Sequence, residues 1–178
     1  LTPREDAEEG KDLAGRAAAQ AVRSGMRLGL GTGSTVAYFL RALARRIRSG
    51  ELDGIVGVPT SLRTGEEAGR LGIPLSGLEE TPALDLMVDG ADEVDPSLDL
   101  IKGMGGALLR EKMVAQACRR LLVIVDEGKV VDRLGTRSPL PVEVVPFGWT
   151  CHLPFIEGLG GRPALRTGEG SAPFLTDN

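Results

Sequence analysis

Apolar, strand-like segments alternate with amphipathic, helix-like segments up to about residue 134, and this alternation constrains the fold more than any other feature. The predicted strands cover residues 26–31, 54–58, 73–77, 83–88, 98–102 and 121–126. The predicted helices cover residues 7–23, 36–47, 62–72 and 107–120. Strands that alternate with helices are typical of parallel sheets covered by helices. We therefore predict an α/β fold with a Rossmann-like, mainly parallel sheet and helices on both faces.

The character of the sequence changes after about Leu134, where prolines separate short segments without a clear strand–helix–strand unit. These prolines are Pro139, Pro141, Pro146, Pro154, Pro163 and Pro173. We predict an α/β catalytic domain over residues 1–138. Residues 139–178 are expected to begin a small α+β subdomain that is truncated here.

The composition excludes several classes of function. The net charge of −4 argues against broad binding of nucleic acid or an anionic membrane. No run approaches the roughly 20 apolar residues of a membrane helix. The two cysteines, Cys118 and Cys151, show neither metal-like spacing nor a disulfide framework. A reducing cytoplasm is the expected location.

Polar loops follow most of the predicted strands. Because ligands of such sheets bind at the carboxyl ends of the strands, these loops are expected to converge on one crevice. Their sequences are GTGST, PTS, DGAD, KGMGG and DEGK. The coincidence of five loops is stronger evidence for a site than any single motif.

The segment GLGTGST, residues 29–35, favours a phosphate or sugar loop. Its glycines let the backbone approach an anion, and Ser34 and Thr35 add hydroxyl donors. It matches neither dinucleotide nor P-loop patterns, and Thr60 and Ser61 follow the second strand where a nucleotide-binding acid is expected. An ordinary turn, with Ser34 or Thr35 capping a helix, is the alternative.

Asp89 and Asp92 stand three residues apart in DGAD. Two such carboxylates can engage neighbouring sugar hydroxyls, move protons to and from them, or bind a divalent metal. The same residues also form ordinary turns. Glu93 and Asp95, which follow, are expected to be solvated.

Lys102 and Glu111 flank the glycine loop of KGMGGALLREK. A carboxylate base beside a cation suits enolisation, in which the base removes a proton next to a carbonyl and the cation stabilises the oxyanion. A solvated charged helix face is the alternative for REK. Lys129 is either a phosphate ligand or a solvated loop residue. His152, the one histidine, lies outside the predicted crevice loops, so we assign it no catalytic role.

Together, GLGTGST, DLMVDGADEVDPSLDLIKGMGGALLREK, VDEGKVVDRLG and PLPVEVVPFG resemble the type A ribose-5-phosphate isomerases, in order and over nearly the whole chain. The resemblance implies interconversion of ribose 5-phosphate and ribulose 5-phosphate through an enediolate, without metal or other cofactor. It also implies a homodimer or homotetramer.

By matching position, the resemblance implies that Glu111 is the base, that Lys102 stabilises the enediolate oxygen and that Asp89 assists ring opening and moves hydroxyl protons. Asp92 would hold sugar hydroxyls. The implied substrate-binding set is Lys11, Thr32, Gly33, Ser34, Thr35, Asp89, Gly90, Ala91, Asp92, Lys102, Gly103, Met104, Gly105 and Lys129. Met104 stands where many relatives carry glycine, so its side chain is expected to point away from the sugar.

Two kinds of rival remain open from the sequence. The first is a sugar-phosphate-sensing effector domain without catalysis, although the residues before Gly25 leave room for only one helix and not for a DNA-binding module. The second is another enzyme on a similar sheet. An aminosugar-phosphate deaminase would need a histidine in the crevice, and a coenzyme A transferase would use a glutamate nucleophile.

Overall fold

The computed structural model describes residues 3–178, except for the side chains of residues 3, 4 and 169. In chain order its elements are α1 (Pro3–Gln20), β1 (Arg27–Leu30), α2 (Ser34–Arg48), β2 (Val56–Pro59), α3 (Leu62–Arg70), β3 (Leu86–Asp89), β4 (Glu93–Val94), β5 (Leu100–Ile101), α4 (Leu108–Gln116), β6 (Leu121–Val123) and α5 (Leu153–Gly158). Short 3₁₀ helices cover Glu127–Lys129, Trp149–His152 and Glu169–Ser171.

Four of the strands form one parallel sheet in the order β2-β1-β3-β6. β1 lies between β2 and β3, and its Gly29 pairs with Val58 on one side and Met87 on the other. The carboxyl ends of β1 and β3 are therefore adjacent. The predicted α/β class and the parallel sheet are confirmed.

The two faces of the sheet bury different sets of side chains, as the alternation along β3 shows. Leu86 and Val88 join a core with α1 and α2, whereas Met87 packs with Val114 of α4. Phe39 of α2 is 0% exposed, and truncating such a residue to alanine typically costs about 3–5 kcal/mol. Helices thus cover both faces, as predicted.

Gly29 lets α4 approach the sheet closely. A Cβ at this position would lie 2.7 Å from Cγ1 of Val114, nearer than real contacts allow. The close packing of α4 matters for function because this helix carries Glu111.

The prediction that residues 98–102 add a strand to the main sheet was wrong. β5 pairs antiparallel with β4 in a separate two-stranded ribbon. The reason is the turn between them, where Asp95 Oδ1 accepts hydrogen bonds from the amides of Ser97 (2.9 Å) and Asp99 (3.0 Å). So tight a turn returns the chain beside the strand it has just left.

Residues 73–77 do not form the predicted strand either, and only an isolated bridge joins Leu75 to Gly57. Pro74 has no amide hydrogen to extend the ladder, so pairing stops after the two bonds to Gly57. The last predicted helix and strand are also shorter than expected, ending at Gln116 and Val123.

Residues 139–178 contain α5, two of the 3₁₀ turns and an antiparallel bridge between Thr167 and Pro173. Many of their apolar side chains are exposed, Phe147 at 95% and Leu175 at 77%. The division of the chain at residue 138 stays a prediction. Within residues 3–178, no helix combines the length and apolar character needed to span a membrane.

Candidate active site

A cavity opens where β1 and β3 end and where α2 and α4 begin. Twelve of the residues proposed from the sequence line it, together with Val36, which was not proposed. The twelve are Thr32, Gly33, Ser34, Thr35, Gly90, Ala91, Asp92, Lys102, Gly103, Gly105, Glu111 and Lys129. The loops after β1 and β3, the glycine loop and the loop after β6 therefore meet at one place.

Lys102 joins two buried carboxylates: Glu111, which lines the cavity, and Asp89, which was expected at the site but does not line the cavity. Its Nζ lies 3.0 Å from Glu111 Oε2 and 2.9 Å from Asp89 Oδ2, and it donates to the carbonyl of Gly90 at 2.5 Å. Glu111 is 5% exposed and Asp89 is 1% exposed. Glu111 lies in the first turn of α4 and faces inward. The alternative that the REK segment is a solvated charged face is therefore wrong for Glu111.

Asp89 ends β3 and is fixed by backbone groups as well as by Lys102. Its Oδ1 accepts hydrogen bonds from the amides of Gly90 (2.8 Å) and Thr32 (3.1 Å). Its Oδ2 has no partner other than Lys102 among the described residues. Gly31 makes this approach possible, because a Cβ there would lie 2.2 Å from Asp89 Oδ1.

The electrostatics of the three groups follow from burial and proximity. Burial raises the pKa of Glu111 to about 7; the Asp89 carboxylate adds to this rise, and Lys102 opposes it. Burial also holds the pKa of Asp89 above its usual range, against the attraction of Lys102. For Lys102, burial disfavours the charge, but Asp89 and Glu111 outweigh it and raise the pKa. Lys102 is therefore a cation at neutral pH, and Glu111 can both accept and release a proton.

Another part of the cavity lining offers backbone amides, hydroxyl groups and an ammonium, the groups that can hold an anion. α2 begins at Ser34 and has no side-chain cap among the described residues, so its first amides remain available to a ligand. The left-handed Gly33 (φ 131°) precedes them. The hydroxyl groups of Ser34 and Thr35 and the ammonium of Lys129 line the same wall.

Asp92 braces the glycine loop, because its Oδ2 accepts a hydrogen bond from the amide of Met104 at 3.0 Å. The carbonyl of Met104 accepts a second bond, at 2.6 Å, from Nη1 of Arg166. Met104 itself does not line the cavity, whereas Gly103 and Gly105 do. The sequence did not predict the role of Arg166, since no local pattern links it to a loop 62 residues earlier.

Lys11 and the PTS loop lie outside the cavity lining, contrary to expectation, whereas His152 lies outside it as expected. Lys11 does not line the cavity and pairs with Glu8 at 2.8 Å. Thr60 and Ser61 of the PTS loop are buried behind the wall rather than exposed in the crevice. His152 lies in a 3₁₀ turn away from the cavity lining.

The expectation that Glu93 is solvated was wrong, because Glu93 is 0% exposed. Its carboxylate accepts hydrogen bonds from the amides of Gly135 (2.6 Å), Arg137 (2.7 Å) and Ser138 (2.5 Å). Burial alone would raise the pKa of Glu93, but these amides hold it below its usual range. No signal in the sequence distinguishes this buried carboxylate from its neighbours.

No group of three or more histidine, cysteine, aspartate or glutamate side chains is arranged to hold a metal ion within the part of the chain that the structure describes. Asp89 and Asp92 are instead engaged by Lys102 and by backbone amides. The metal alternative considered for DGAD therefore gains no support from the geometry.

Comparison with known proteins places the chain in one family. Residues 56–178 match the family model described as ribose 5-phosphate isomerase A (phosphoriboisomerase A). The ribose-5-phosphate isomerase A of Chloroflexus aurantiacus is 54% identical over 170 residues, which are 96% of this chain and 71% of that protein. The corresponding protein of a Synechococcus strain is 56% identical over 173 residues, 96% of this chain and 74% of that protein.

Solved structures agree. A D-ribose-5-phosphate isomerase in complex with phospho-erythronic acid superposes with a TM-score of 0.93 at 41% identity, covering 96% of this chain and 75% of that one. Ribose 5-phosphate isomerase A from Methanocaldococcus jannaschii gives a TM-score of 0.91 at 40% identity, covering 96% and 76%. On these matches in sequence and in fold, the chain belongs to the ribose 5-phosphate isomerase A family.

Proposed function

We propose that this protein interconverts D-ribose 5-phosphate and D-ribulose 5-phosphate through an enediolate, with Glu111 as the base. Membership of the isomerase family supports the reaction. The observation that carries the mechanism is the single ammonium of Lys102, which lies within 3.0 Å of both Glu111 and Asp89.

Proton transfer is the task assigned to Glu111. In the open-chain aldose, its carboxylate removes the proton from C2 and later returns a proton to C1, which gives the ketose. A pKa of about 7 suits both steps, because a general base is most effective when its pKa lies near the working pH.

Charge stabilisation is the task assigned to Lys102. The negative charge of the enediolate develops on the oxygen of C1, and a fixed cation beside that oxygen lowers the barrier. Because the carbonyl of Gly90 and two carboxylates hold the ammonium, no reorganisation is needed when the charge appears.

Asp89 and Asp92 are assigned to the sugar. Asp89 assists opening of the furanose ring and moves hydroxyl protons, for which its raised pKa is suited. Asp92 uses Oδ2 to hold the amide of Met104, so its other oxygen is the one assigned to a sugar hydroxyl. The amides of Gly103 and Gly105 complete this wall.

The phosphate is assigned to the amino end of α2. Gly33, Ser34 and Thr35 supply amides and hydroxyl groups, and Lys129 supplies a positive charge. The similar D-ribose-5-phosphate isomerase was solved in complex with phospho-erythronic acid, which has a phosphate at one end and a carboxylate at the other. That complex supports a phosphate-binding end in the cavity of this chain. Lys11 joins this set only on resemblance and has to exchange its Glu8 partner to reach the ligand.

The test is an isomerisation assay on the purified protein in the presence of EDTA. We expect ribose 5-phosphate to yield ribulose 5-phosphate without added metal or cofactor. A sugar-phosphate-sensing domain would bind the sugar phosphate and leave it unchanged, so binding without turnover would contradict the proposal.

We also propose a homodimer or homotetramer in the cytoplasm. The exposed apolar side chains of residues 139–178 support an assembly, because covering them with another subunit would remove apolar area from water. Light scattering coupled to size-exclusion chromatography tests the assembly; a mass of 18.7 kDa at micromolar concentration would contradict it.

A further inference from the structure

Four hydroxyl groups meet at Thr32, beside the part of the cavity lined by Gly33, Ser34, Thr35 and Lys129. This part is called the anion-binding wall below. Thr32 Oγ1 lies 2.8 Å from Ser61 Oγ, 3.0 Å from Thr60 Oγ1 and 3.2 Å from Thr64 Oγ1. Thr60, Ser61 and Thr64 are 0%, 6% and 4% exposed, and none of the three lines the cavity. A ligand in the cavity therefore meets Thr32 but not the three hydroxyls behind it.

The direction of these hydrogen bonds follows from counting protons, since each hydroxyl has one. Thr60 donates to the carbonyl of Leu30 (3.0 Å) and Thr64 donates to the carbonyl of Gly31 (2.9 Å). Ser61 donates to Thr64 Oγ1 at 2.9 Å. With those three protons in place, the proton of Thr32 is directed to Ser61, its nearest neighbour in the group.

The backbone amide of Thr32 is committed as well, because it donates to Asp89 Oδ1 at 3.1 Å. Neither donor of Thr32 is then available to an anion. Thr32 is instead held in place, and the chain continues from it through Gly33 to the first turn of α2, whose amides no described side chain caps. It also connects the anion-binding wall to the carboxylate that pairs with Lys102.

We propose that Thr60, Ser61 and Thr64 are positioning residues that fix residues 30–32 and so hold residues 33–35 in their anion-binding conformation. Ser61 acts through the hydroxyl of Thr32, whereas Thr60 and Thr64 act through the carbonyls of Leu30 and Gly31. The proposal rests on the proposed function, because it assigns these hydroxyls to binding of the substrate phosphate. It explains why the PTS loop points at the cavity wall without reaching the cavity.

The test compares Thr60→Val, which keeps the shape and removes the hydroxyl, with Thr60→Ser, which restores the hydroxyl. We expect Thr60→Val to raise the KM for ribose 5-phosphate by about three- to tenfold, because it loses the hydrogen bond from Thr60 to the carbonyl of Leu30, with kcat within about twofold of wild type. The dissociation constant of inorganic phosphate, measured by ³¹P NMR titration, is expected to rise by the same factor. Thr60→Ser is expected to restore both values.

Thr81→Val is the matched control. Thr81 is also a buried threonine, but its hydroxyl bonds to Ser76 at 2.8 Å, and neither residue lines the cavity. Its phosphate affinity and KM are expected to equal those of wild type. An equal loss in Thr81→Val would mean that the effect is general destabilisation and would overturn the proposal.

Ser61→Ala is a second variant, measured in the same way if Thr60→Val does not fold. Unchanged phosphate affinity in whichever variant folds would overturn the proposal, as would a wild-type protein that does not bind phosphate. A wild type that binds phosphate without isomerising ribose 5-phosphate would contradict the proposed function alone, and the phosphate titrations would still decide whether Thr60 acts as proposed.

Discussion

The ammonium of Lys102 and the carboxylate of Glu111 lie 3.0 Å apart in the cavity lining, and both groups are held in place. Lys102 is also held by Asp89 at 2.9 Å, and Glu111 is only 5% exposed. One cation therefore balances two buried carboxylates, so the trio carries a net negative charge when all three groups are ionised. Burial, together with this imbalance, raises the pKa of Glu111 to about 7.

Glu111→Gln is expected to lower kcat by about 10²–10⁴-fold, because an amide cannot accept the proton from carbon. The side chain keeps nearly the same shape, so affinity for ribose 5-phosphate, measured by calorimetry, is expected to stay within a fewfold of wild type. Glu66→Gln, which changes an exposed helical glutamate on α3, is the matched control and should be fully active. Near-normal turnover in Glu111→Gln would remove Glu111 from the mechanism.

The pH dependence of kcat/KM is expected to show an acidic limb with an apparent pKa of about 7, because protonated Glu111 cannot act as a base. Activity should fall about tenfold per pH unit below that value. Asp89→Asn removes one of the groups that raise the pKa of Glu111, so the limb should move to lower pH even though activity drops. A limb that does not move in Asp89→Asn would show that another group titrates.

Lys102→Met is expected to move the same limb in the opposite direction. Without the cation, two buried carboxylates face each other and the pKa of Glu111 should rise above about 7. At neutral pH we expect kcat/KM to fall by about 10²–10³-fold, the usual effect of removing a group that stabilises an oxyanion. Lys112→Met, at the exposed neighbour of Glu111, controls for loss of a positive charge and should leave the pH profile unchanged.

Glu93→Ala is expected to loosen the turn around residues 133–138, since three backbone amides of that turn donate to the Glu93 carboxylate. Trypsin should then cleave after Arg133 or Arg137 faster than in wild type, which mass spectrometry detects. Glu157→Ala, at an exposed position of α5, should leave cleavage unchanged. Equal cleavage rates in Glu93→Ala and wild type would contradict the assignment.

The lowered pKa of Glu93 adds a pH signature to this turn. A carboxyl whose pKa is depressed by folding stabilises the protein above its unfolded pKa, and the stabilisation is lost as the pH falls through the folded value. We therefore expect a protease active at low pH to cleave wild-type protein within residues 133–138 faster as the pH falls. In Glu93→Ala the cleavage rate at this turn should not depend on pH in that way.

The sequence predicted the parallel sheet and most of the cavity lining because their signals are local. Apolar strands followed by GTGST and DGAD indicate both the strand direction and the edge where ligands bind. Two glycines are equally informative. Gly31 leaves room for the Asp89 carboxylate, and Gly33 has a positive φ that favours glycine.

The contacts that the sequence did not reveal depend on tertiary placement. Glu93 and Asp92 are adjacent acidic residues, yet one is buried under amides of residues 135–138 and the other holds Met104. Arg166 reaches the glycine loop from a segment whose position no local pattern specifies. The β4–β5 ribbon was mistaken for part of the sheet because a short apolar strand looks the same in either arrangement.

Proton NMR of ribose 5-phosphate incubated with the protein in D₂O and EDTA tests the central claim most directly. If Glu111 transfers a proton through an enediolate, ribulose 5-phosphate should appear with deuterium at C1, and deuterium should accumulate at C2 of recovered ribose 5-phosphate. Both signals should vanish in Glu111→Gln. No conversion by the wild type, or deuterium incorporation that persists in Glu111→Gln, would contradict the account.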